Sequence, residues 1–255
     1  MMAARYPDLA GKVAVVTGGS RGIGAATAAA LASNGVAVAA VGRDEQALTE
    51  VVSSIESSGG QALWVAADCT VAADVERMAR AVSERFGPVG IVAAFAGGNG
   101  MPVPTDQESV EHWREILDDD LTSTFLTVRA FLPQMVEAGR GVIVTMSSAA
   151  ARQAAQSAAA YAAAKAGVIA FTRHVAGEFA RKGIRANCVA PSAIENDRMR
   201  TWVSDEQRRD LGRGFPLGRL GQPDDVAAAT LFLASDASSW ITGATLDVAG
   251  GKVML

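Results

Sequence analysis

The sequence has few of the residues that build covalent or metal frameworks. Its two cysteines, Cys69 and Cys188, lie far apart with no CxxC pairing, and His112 and His174 are its only imidazoles. A disulfide framework and a zinc site are therefore not expected, and no metal is assigned; both thiols are expected reduced, at strand ends. No run of Lys or Arg offsets the net charge of −4, so nothing draws the chain to phosphate backbones or anionic lipids, and no nucleic-acid partner is expected. No apolar run reaches the roughly 18 residues needed to cross a bilayer, and the opening "MMAARYPDLAGK" lacks a signal peptide's apolar stretch. A cytoplasmic protein without membrane contact is expected. No Pro, Gly or Ser linker divides the chain and no repeat recurs, so 1–255 reads as one domain.

What is present is apolar: 49 % of the 255 residues, enough for a sizeable core. Short β-rich runs recur between helical stretches at 13–17, 36–41, 62–67, 90–96, 141–147, 184–190 and 244–250. Their nearly continuous hydrophobicity, without alternation, predicts an α/β fold: a doubly wound, seven-stranded parallel sheet with helices on both faces. The least regular region, 192–221, reads either as a flap over a pocket or as an ordinary surface excursion. The helix after it opens at "QPDDV", with Pro223 at the first helical position and Asp224 and Asp225 complementing the dipole.

After the first strand comes "TGGSRGIG", Thr17 to Gly24, running straight into a helix. Such a turn lets backbone N–H groups and the helix N-terminus approach a pyrophosphate. Without a Lys-Ser/Thr ending it is not a P-loop. At the end of the second strand stand Gly42 and Arg43, with Arg21 in the glycine loop, where an NAD enzyme would carry an acid for the ribose 2′-OH. Two cations flanking one phosphate favour NADP(H) over NAD(H). Asp44 comes one residue too late for that acid and reads as the cap or first-turn acid of the next helix.

"YAAAK" places Tyr161 and Lys165 four residues apart on an Ala-rich helix, on one face and about 6 Å apart along the axis. An ammonium ~4 Å from a phenol favours the phenolate by ~4 kcal/mol at an effective dielectric near 20, or ~3 pKa units, which suits a general acid/base. Alone, the pair equally fits a Tyr beside a Lys on a helix surface. With "TGGSRGIG", "DCT", "GRLGQPDDVA" and "ITGATLDVAGG", the chain resembles the classical short-chain dehydrogenase/reductases over residues 10–251, and is similar to 3-oxoacyl-(acyl-carrier-protein) reductases.

The resemblance implies a Rossmann-type fold and a nicotinamide cofactor held by Gly18, Ser20, Arg21, Gly22, Ile23, Gly24 and Arg43. Asp68 and Cys69 would lie by the adenine. Ala96, Gly97, Pro191, Ser192 and Ile194 would run along the cofactor, and Tyr161 and Lys165 would reach its nicotinamide ribose. Tyr161 would donate a proton to a carbonyl, with Lys165 lowering its pKa and Ser148 hydrogen-bonding the substrate oxygen; Ser147 is the structural neighbour. It further implies a homotetramer, with helices at 107–137 and 157–182 packing against one partner and the C-terminal segment at a second interface. The partner is a small-molecule carbonyl or alcohol, with a carrier-bound substrate among the options.

Three positions depart from the family. The usual Asn-Asn-Ala-Gly reads "AFAG", Ala94 to Gly97, with Phe95 expected to pack; Pro-Gly reads Pro191-Ser192, and the later Thr is Asn196. The third lies in "DDD", Asp118 to Asp120. The apolar stripe Trp113, Ile116, Leu117, Leu121, Phe125 and Val128 has the helical period, and Asp120 falls on it, whereas Asp118 and Asp119 fall outside and are expected in solvent. The resemblance aligns Asp120 with an Asn that holds a relay water next to the Lys. An anion there accepts a hydrogen bond but donates none, and partly cancels the Lys165 field. Two readings stand: Asp120 pairs with Lys165, directly or through water, or backbone N–H groups satisfy it.

Arg140, Arg181 and Lys182 read as solvated charges, or as docking residues for an acidic carrier. His174 is expected without an acidic partner, and Trp64 and Trp240 are expected in the core. The leading reading is an NADPH-dependent reductase of a 3-oxoacyl thioester or a related small or polyketide-like ketone. The same site run in reverse would be a secondary-alcohol dehydrogenase. A nucleotide-binding scaffold or sensor without turnover is the reading from another class.

Overall fold

The computed structural model describes residues 4–98, 102–154 and 157–254, with the backbone alone at 198 and 200. Seven parallel strands, β1 (Val13–Thr17), β2 (Ala37–Gly42), β3 (Gln61–Ala66), β4 (Ile91–Ala94), β5 (Gly141–Met146), β6 (Ile184–Pro191) and β7 (Thr245–Val248), form one sheet in the order 3-2-1-4-5-6-7. The order reverses between β1 and β4, whose register sets Ala14, Val15 and Val16 against Ile91, Val92 and Ala93. In an open α/β sheet, ligands bind beyond the strand ends at that reversal.

Every residue of β1 is buried, which is why its run shows no alternation. Ala14 and Val16 face a layer formed by α1 (Gly22–Ser33), α2 (Glu45–Ser57) and α9 (Pro223–Ala234), through residues such as Leu31, Leu48 and Leu231. Val13 and Val15 face the opposite layer, formed by α3 (Ala72–Phe86), α5 (Ser123–Ala138) and α6 (Ala159–Phe179), through Met78, Phe131 and Val175. Phe131 is fully buried, and its truncation to Ala should cost about 3–5 kcal/mol.

Local chemistry sets the helix ends. Asp44 caps α2 by accepting from Ala47 N at 3.1 Å, as its position before the helix requires. Pro223 opens α9, and Asp225 accepts from Gln222 N at 2.7 Å. The 192–221 region holds two short helices, α7 (Asp197–Trp202) and α8 (Asp205–Arg213), with Trp202 79 % exposed.

The helical stripe of the "DDD" region does not run straight through. Between α4 (Val110–Leu117) and α5, residues Asp118–Thr122 form a π-helical turn. A wider turn shifts the helical phase of the residues beyond it, where Val128 is buried and Phe125 exposed; Asp120, within the turn, is buried, and before it Ile116 is buried while Trp113 is exposed. Asp118 goes to solvent, but Asp119 is half-buried, contrary to expectation. Hydroxyls take up carbonyls in the widened turn: Ser123 Oγ donates to Asp119 O, and Thr124 Oγ1 to Asp120 O at 2.9 Å.

Other expectations also fail. Trp64 is 36 % and Trp240 99 % exposed, so neither is core. Cys188 lies within β6 rather than at its end, while Cys69 follows β3; both are buried. His174 Nε2 has an acidic partner one turn on, Glu178 Oε2 at 3.4 Å.

Candidate active site

At the reversal of strand order, the turn after β1 meets the segment after β4. Thr17 Oγ1, buried at the end of β1, accepts from Phe95 N at 2.9 Å and Ala96 N at 3.0 Å. Phe95 packs into the core, as expected where the family places Asn. Gly24 has no room for a side chain, since a Cβ there would lie 2.0 Å from Gly18 O. The N-terminus of α1 carries no side-chain cap at Arg21, so its first N–H groups are left to an outside acceptor. Gly18, Ser20, Gly22 and Ile23 belong to this same turn, and the tight backbone with an uncapped helix fits a dinucleotide pyrophosphate.

The rim of the groove is charged. Arg21 is ion-paired with Asp44, and Arg43 Nη1 lies 4.0 Å from Asp68 Oδ2, so both exposed cations beside the glycine turn are already in contact with carboxylates. The Thr70 hydroxyl and amide, at 2.7 and 2.9 Å, hold the Asp68 carboxyl below its usual range. Burial pushes the neighbouring Cys69 thiol up to about 11. Burial also raises the Asp119 carboxyl, against the lowering effect of Arg43. On the far side, Pro191 ends β6, Ser192 N donates to Val248 O at 3.3 Å, and Ile194 bridges to Gly221. Asn196, in place of the family Thr, caps α7 by accepting from Met199 N at 2.8 Å.

Side chains of α6 and the π turn meet a backbone carbonyl at the end of β5. Tyr161 lies in the first turn of α6 and Lys165 one turn later, with Lys165 Nζ 5.6 Å from the Tyr161 ring centroid. That Nζ is 2.8 Å from Asp120 Oδ1 and donates to Met146 O at 3.2 Å. An ammonium has three donors, so one remains for the Tyr161 side. Burial opposes the Lys165 charge, but Asp120 and Tyr161 outweigh it and hold the ammonium's pKa above its ordinary value. Of the two readings of Asp120 the geometry fits the direct Lys165 pair: one backbone N–H, Gly98 N, also donates to Oδ1 at 2.6 Å, but Oδ2 is buried with no hydrogen-bond partner among the described residues, so backbone N–H groups do not satisfy the carboxylate. Gly97 makes this fit: its φ is +112°, and a Cβ there would sit 2.2 Å from Asp120 Oδ1.

Ser147 Oγ donates to Lys165 O at 2.7 Å, tying β5 to α6 in its structural role. Ser148 Oγ accepts from Ala150 N at 3.2 Å, which leaves its hydroxyl proton to donate elsewhere. Arg140, Arg181 and Lys182 are exposed away from this cluster. Two contributors had no sequence signal: the Met146 carbonyl, a backbone group, and Glu108, whose carboxylate accepts from Ala160 N at 3.2 Å.

A family model described as Enoyl-(Acyl carrier protein) reductase matches residues 18–252. The chain is 39 % identical over 249 residues to 3-oxoacyl-(acyl-carrier-protein) reductase FabG of Vibrio cholerae, covering 97 % of this chain and 100 % of the relative. It is 38 % identical over 252 residues to 3beta-hydroxysteroid dehydrogenase 1 of Eggerthella lenta, covering 98 % and 96 %. It is also 38 % identical over 245 residues to D-threitol dehydrogenase of Mycolicibacterium smegmatis, covering 95 % and 93 %. Among solved structures, that of gox2181 superposes with a TM-score of 0.91 at 37 % identity, covering 96 % and 98 %. Levodione reductase gives 0.89 at 29 % identity, covering 95 % and 98 %. With this fold, this glycine turn and the Tyr161–Lys165 pair on α6, the chain belongs to the classical short-chain dehydrogenase/reductases, nicotinamide-dependent oxidoreductases of carbonyl and alcohol substrates, and is similar to their 3-oxoacyl-(acyl-carrier-protein) reductases.

Proposed function

We propose that the chain is an NADPH-dependent reductase of a ketone, either a 3-oxoacyl thioester or a related small or polyketide-like carbonyl. The observation that carries this reading is the buried Lys165 ammonium, fixed by Asp120 and Met146 and facing Tyr161 from one turn along α6. When bound, the nicotinamide supplies the hydride. Ser148 donates a hydrogen bond to the carbonyl oxygen, and Tyr161 gives that oxygen its proton, with the Lys165 charge favouring release from the phenol. Lys165 keeps its third donor for the nicotinamide ribose.

The preference for NADPH rests on Gly42, Arg43 and Arg21. No acid stands at Gly42 to meet the ribose hydroxyls or repel a phosphate. The pairs Arg21–Asp44 and Arg43–Asp68 are exposed, and exposed pairs hold by only ~0–1 kcal/mol, so both cations can turn to a 2′-phosphate. A secondary-alcohol dehydrogenase is the same site in reverse, and the names of the Eggerthella lenta and Mycolicibacterium smegmatis relatives favour keeping it. The exposed Trp113 and Phe125, beside α6, suit subunit contacts in a homotetramer. A cytoplasmic location completes the reading.

The test is NADPH oxidation by the purified chain over a panel of 3-oxoacyl thioesters and small ketones, with alcohols and NADP+ for the reverse. Turnover of a ketone, lost in Tyr161→Phe, is expected. No turnover of any ketone or alcohol, with tight NADPH binding retained, overturns the reading and leaves a nucleotide-binding scaffold.

A further inference from the structure

Helix α6 carries both Tyr161 and Lys165, yet its N-cap residue, Ala158, offers no side-chain acceptor to the first turn. A helix start leaves its first N–H groups without intrahelical partners. One is satisfied from a distant part of the chain: Ala160 N donates to Glu108 Oε2 at 3.2 Å, across 52 residues of sequence. Glu108 lies just before α4, its side chain is only 4 % exposed, and its other oxygen, Oε1, is 3.2 Å from His112 Nδ1. The carboxylate therefore bridges two elements, the start of α4 and the first turn of α6. A buried carboxylate accepting a backbone N–H at a helix start is a strong, charge-assisted contact, further favoured by the helix dipole.

Its placement matters because Ala160 immediately precedes Tyr161. Ala160 is fully buried and packs with Ile116 and Ala164, while Tyr161 is only partly buried and packs at the edge of that small cluster. Lys165, one turn further on, is held by Asp120, Met146 O and the Ser147 bond to its carbonyl. Among the described residues no bond from β5 anchors the phenol end of the pair, and the Glu108 bond ties the backbone beside it to the start of α4.

We propose that Glu108 is a positioning residue for Tyr161: its buried carboxylate latches the start of α4 to the first turn of α6 and thereby sets where the phenol stands. This rests on the assignment of Tyr161 as the proton donor. Misplacing a reacting group by about 1 Å can slow a reaction on the order of a hundredfold, so a loss in kcat is the expected signature. Glu108→Leu removes the acceptor at similar size; Glu108→Gln keeps an acceptor oxygen.

The experiment compares both variants with the parent for steady-state ketone reduction, NADPH binding by fluorescence, and amide hydrogen exchange at 158–164. Glu108→Leu should lower kcat by about tenfold or more, with the NADPH dissociation constant within about twofold of the parent and faster exchange at Ala160 and Tyr161. Glu108→Gln should restore kcat to within about threefold and restore slow exchange. A Leu variant with parental kcat and exchange, a Gln variant as impaired as Leu, or a loss of NADPH binding in step with kcat would each overturn the proposal. If the Leu variant does not fold, the Gln variant decides alone, by parental exchange and kcat or by their loss. If the parent reduces no carbonyl, the functional reading fails, and exchange in the two variants still reports whether the latch holds the first turn of α6.

Discussion

Lys165 Nζ stands 2.8 Å from Asp120 Oδ1, with both side chains essentially out of solvent at 2 % and 0 % exposure. The π turn delivers the carboxylate, and Gly97 leaves the space for it. A buried ion pair holds only while both partners remain; removing one costs about 3–5 kcal/mol because the other is left charged and unpaired. The pair also places an anion where the resemblance expects a neutral amide, so the ammonium that should act on Tyr161 is partly neutralised by its neighbour.

Asp120→Asn should therefore shift the pH dependence of catalysis. With the carboxylate gone, the Lys165 charge acts on the phenol unopposed. The acid limb of alcohol oxidation, which needs the deprotonated phenol, should move to lower pH by on the order of one unit, given ~2 kcal/mol between charges ~7 Å apart at an effective dielectric near 20. The kcat/KM profile with NADP+ and an alcohol reads this directly. A profile identical to the parent's would remove Asp120 from the chemistry.

The same pair should shape stability in alkali. In the unfolded chain the ammonium titrates near its ordinary value of 10.5, and in the fold its pKa is higher, against burial, because of Asp120 and Tyr161. Above pH 10.5 the folded state thus holds a proton that the unfolded state has lost, so stability falls with rising pH; below 10.5 the contribution is fully present. Urea midpoints measured from about pH 9 upward should decline above 10.5 more steeply in the parent than in Asp120→Asn.

Tyr161→Phe should remove the proton donor and little else. Tyr161 packs against the small cluster of Ile116, Ala160 and Ala164, which a Phe ring can still cover. A general acid contributes on the order of a thousandfold, so kcat should drop by about that factor while the thermal midpoint and NADPH affinity stay close to the parent's. A Phe variant with more than a tenth of parental turnover would mean another group donates the proton.

The sheet and the glycine turn were legible because their signals are local: continuous apolar runs mark covered inner strands such as β1 and β4, and a glycine turn between strand and helix reads without tertiary knowledge. The Tyr161 and Lys165 pair was legible for the same reason, since four residues on a helix fix a shared face. The π turn was not, because a period of 3.6 assumes regular helix; Asp119 within the widened turn is half-buried and Phe125 beyond it lies on the surface. Trp240, 99 % exposed, shows that an apolar side chain does not dictate its own burial. Glu108 acts on a backbone N–H 52 residues away, and no residue spacing announces such a contact.

Cofactor preference can be tested at Gly42, the last residue of β2. Its backbone is not left-handed, and a Cβ there would meet Ser20 and Leu48 only at ordinary contact distances, 3.5 Å and beyond. An Asp at this position is therefore sterically tolerated, and in the proposed NADPH site it would stand beside the ribose 2′-phosphate. A carboxylate ~5 Å from a phosphate charge is repelled by ~3 kcal/mol at an effective dielectric near 20, on the order of a hundredfold in affinity. The same carboxylate can accept from the free hydroxyls of NADH. Gly42→Asp should thus lower kcat/KM for NADPH by tenfold or more and raise it for NADH, with the thermal midpoint nearly unchanged. If the ratio of the two cofactors did not move, Arg21 and Arg43 would not be reading a phosphate at the end of β2.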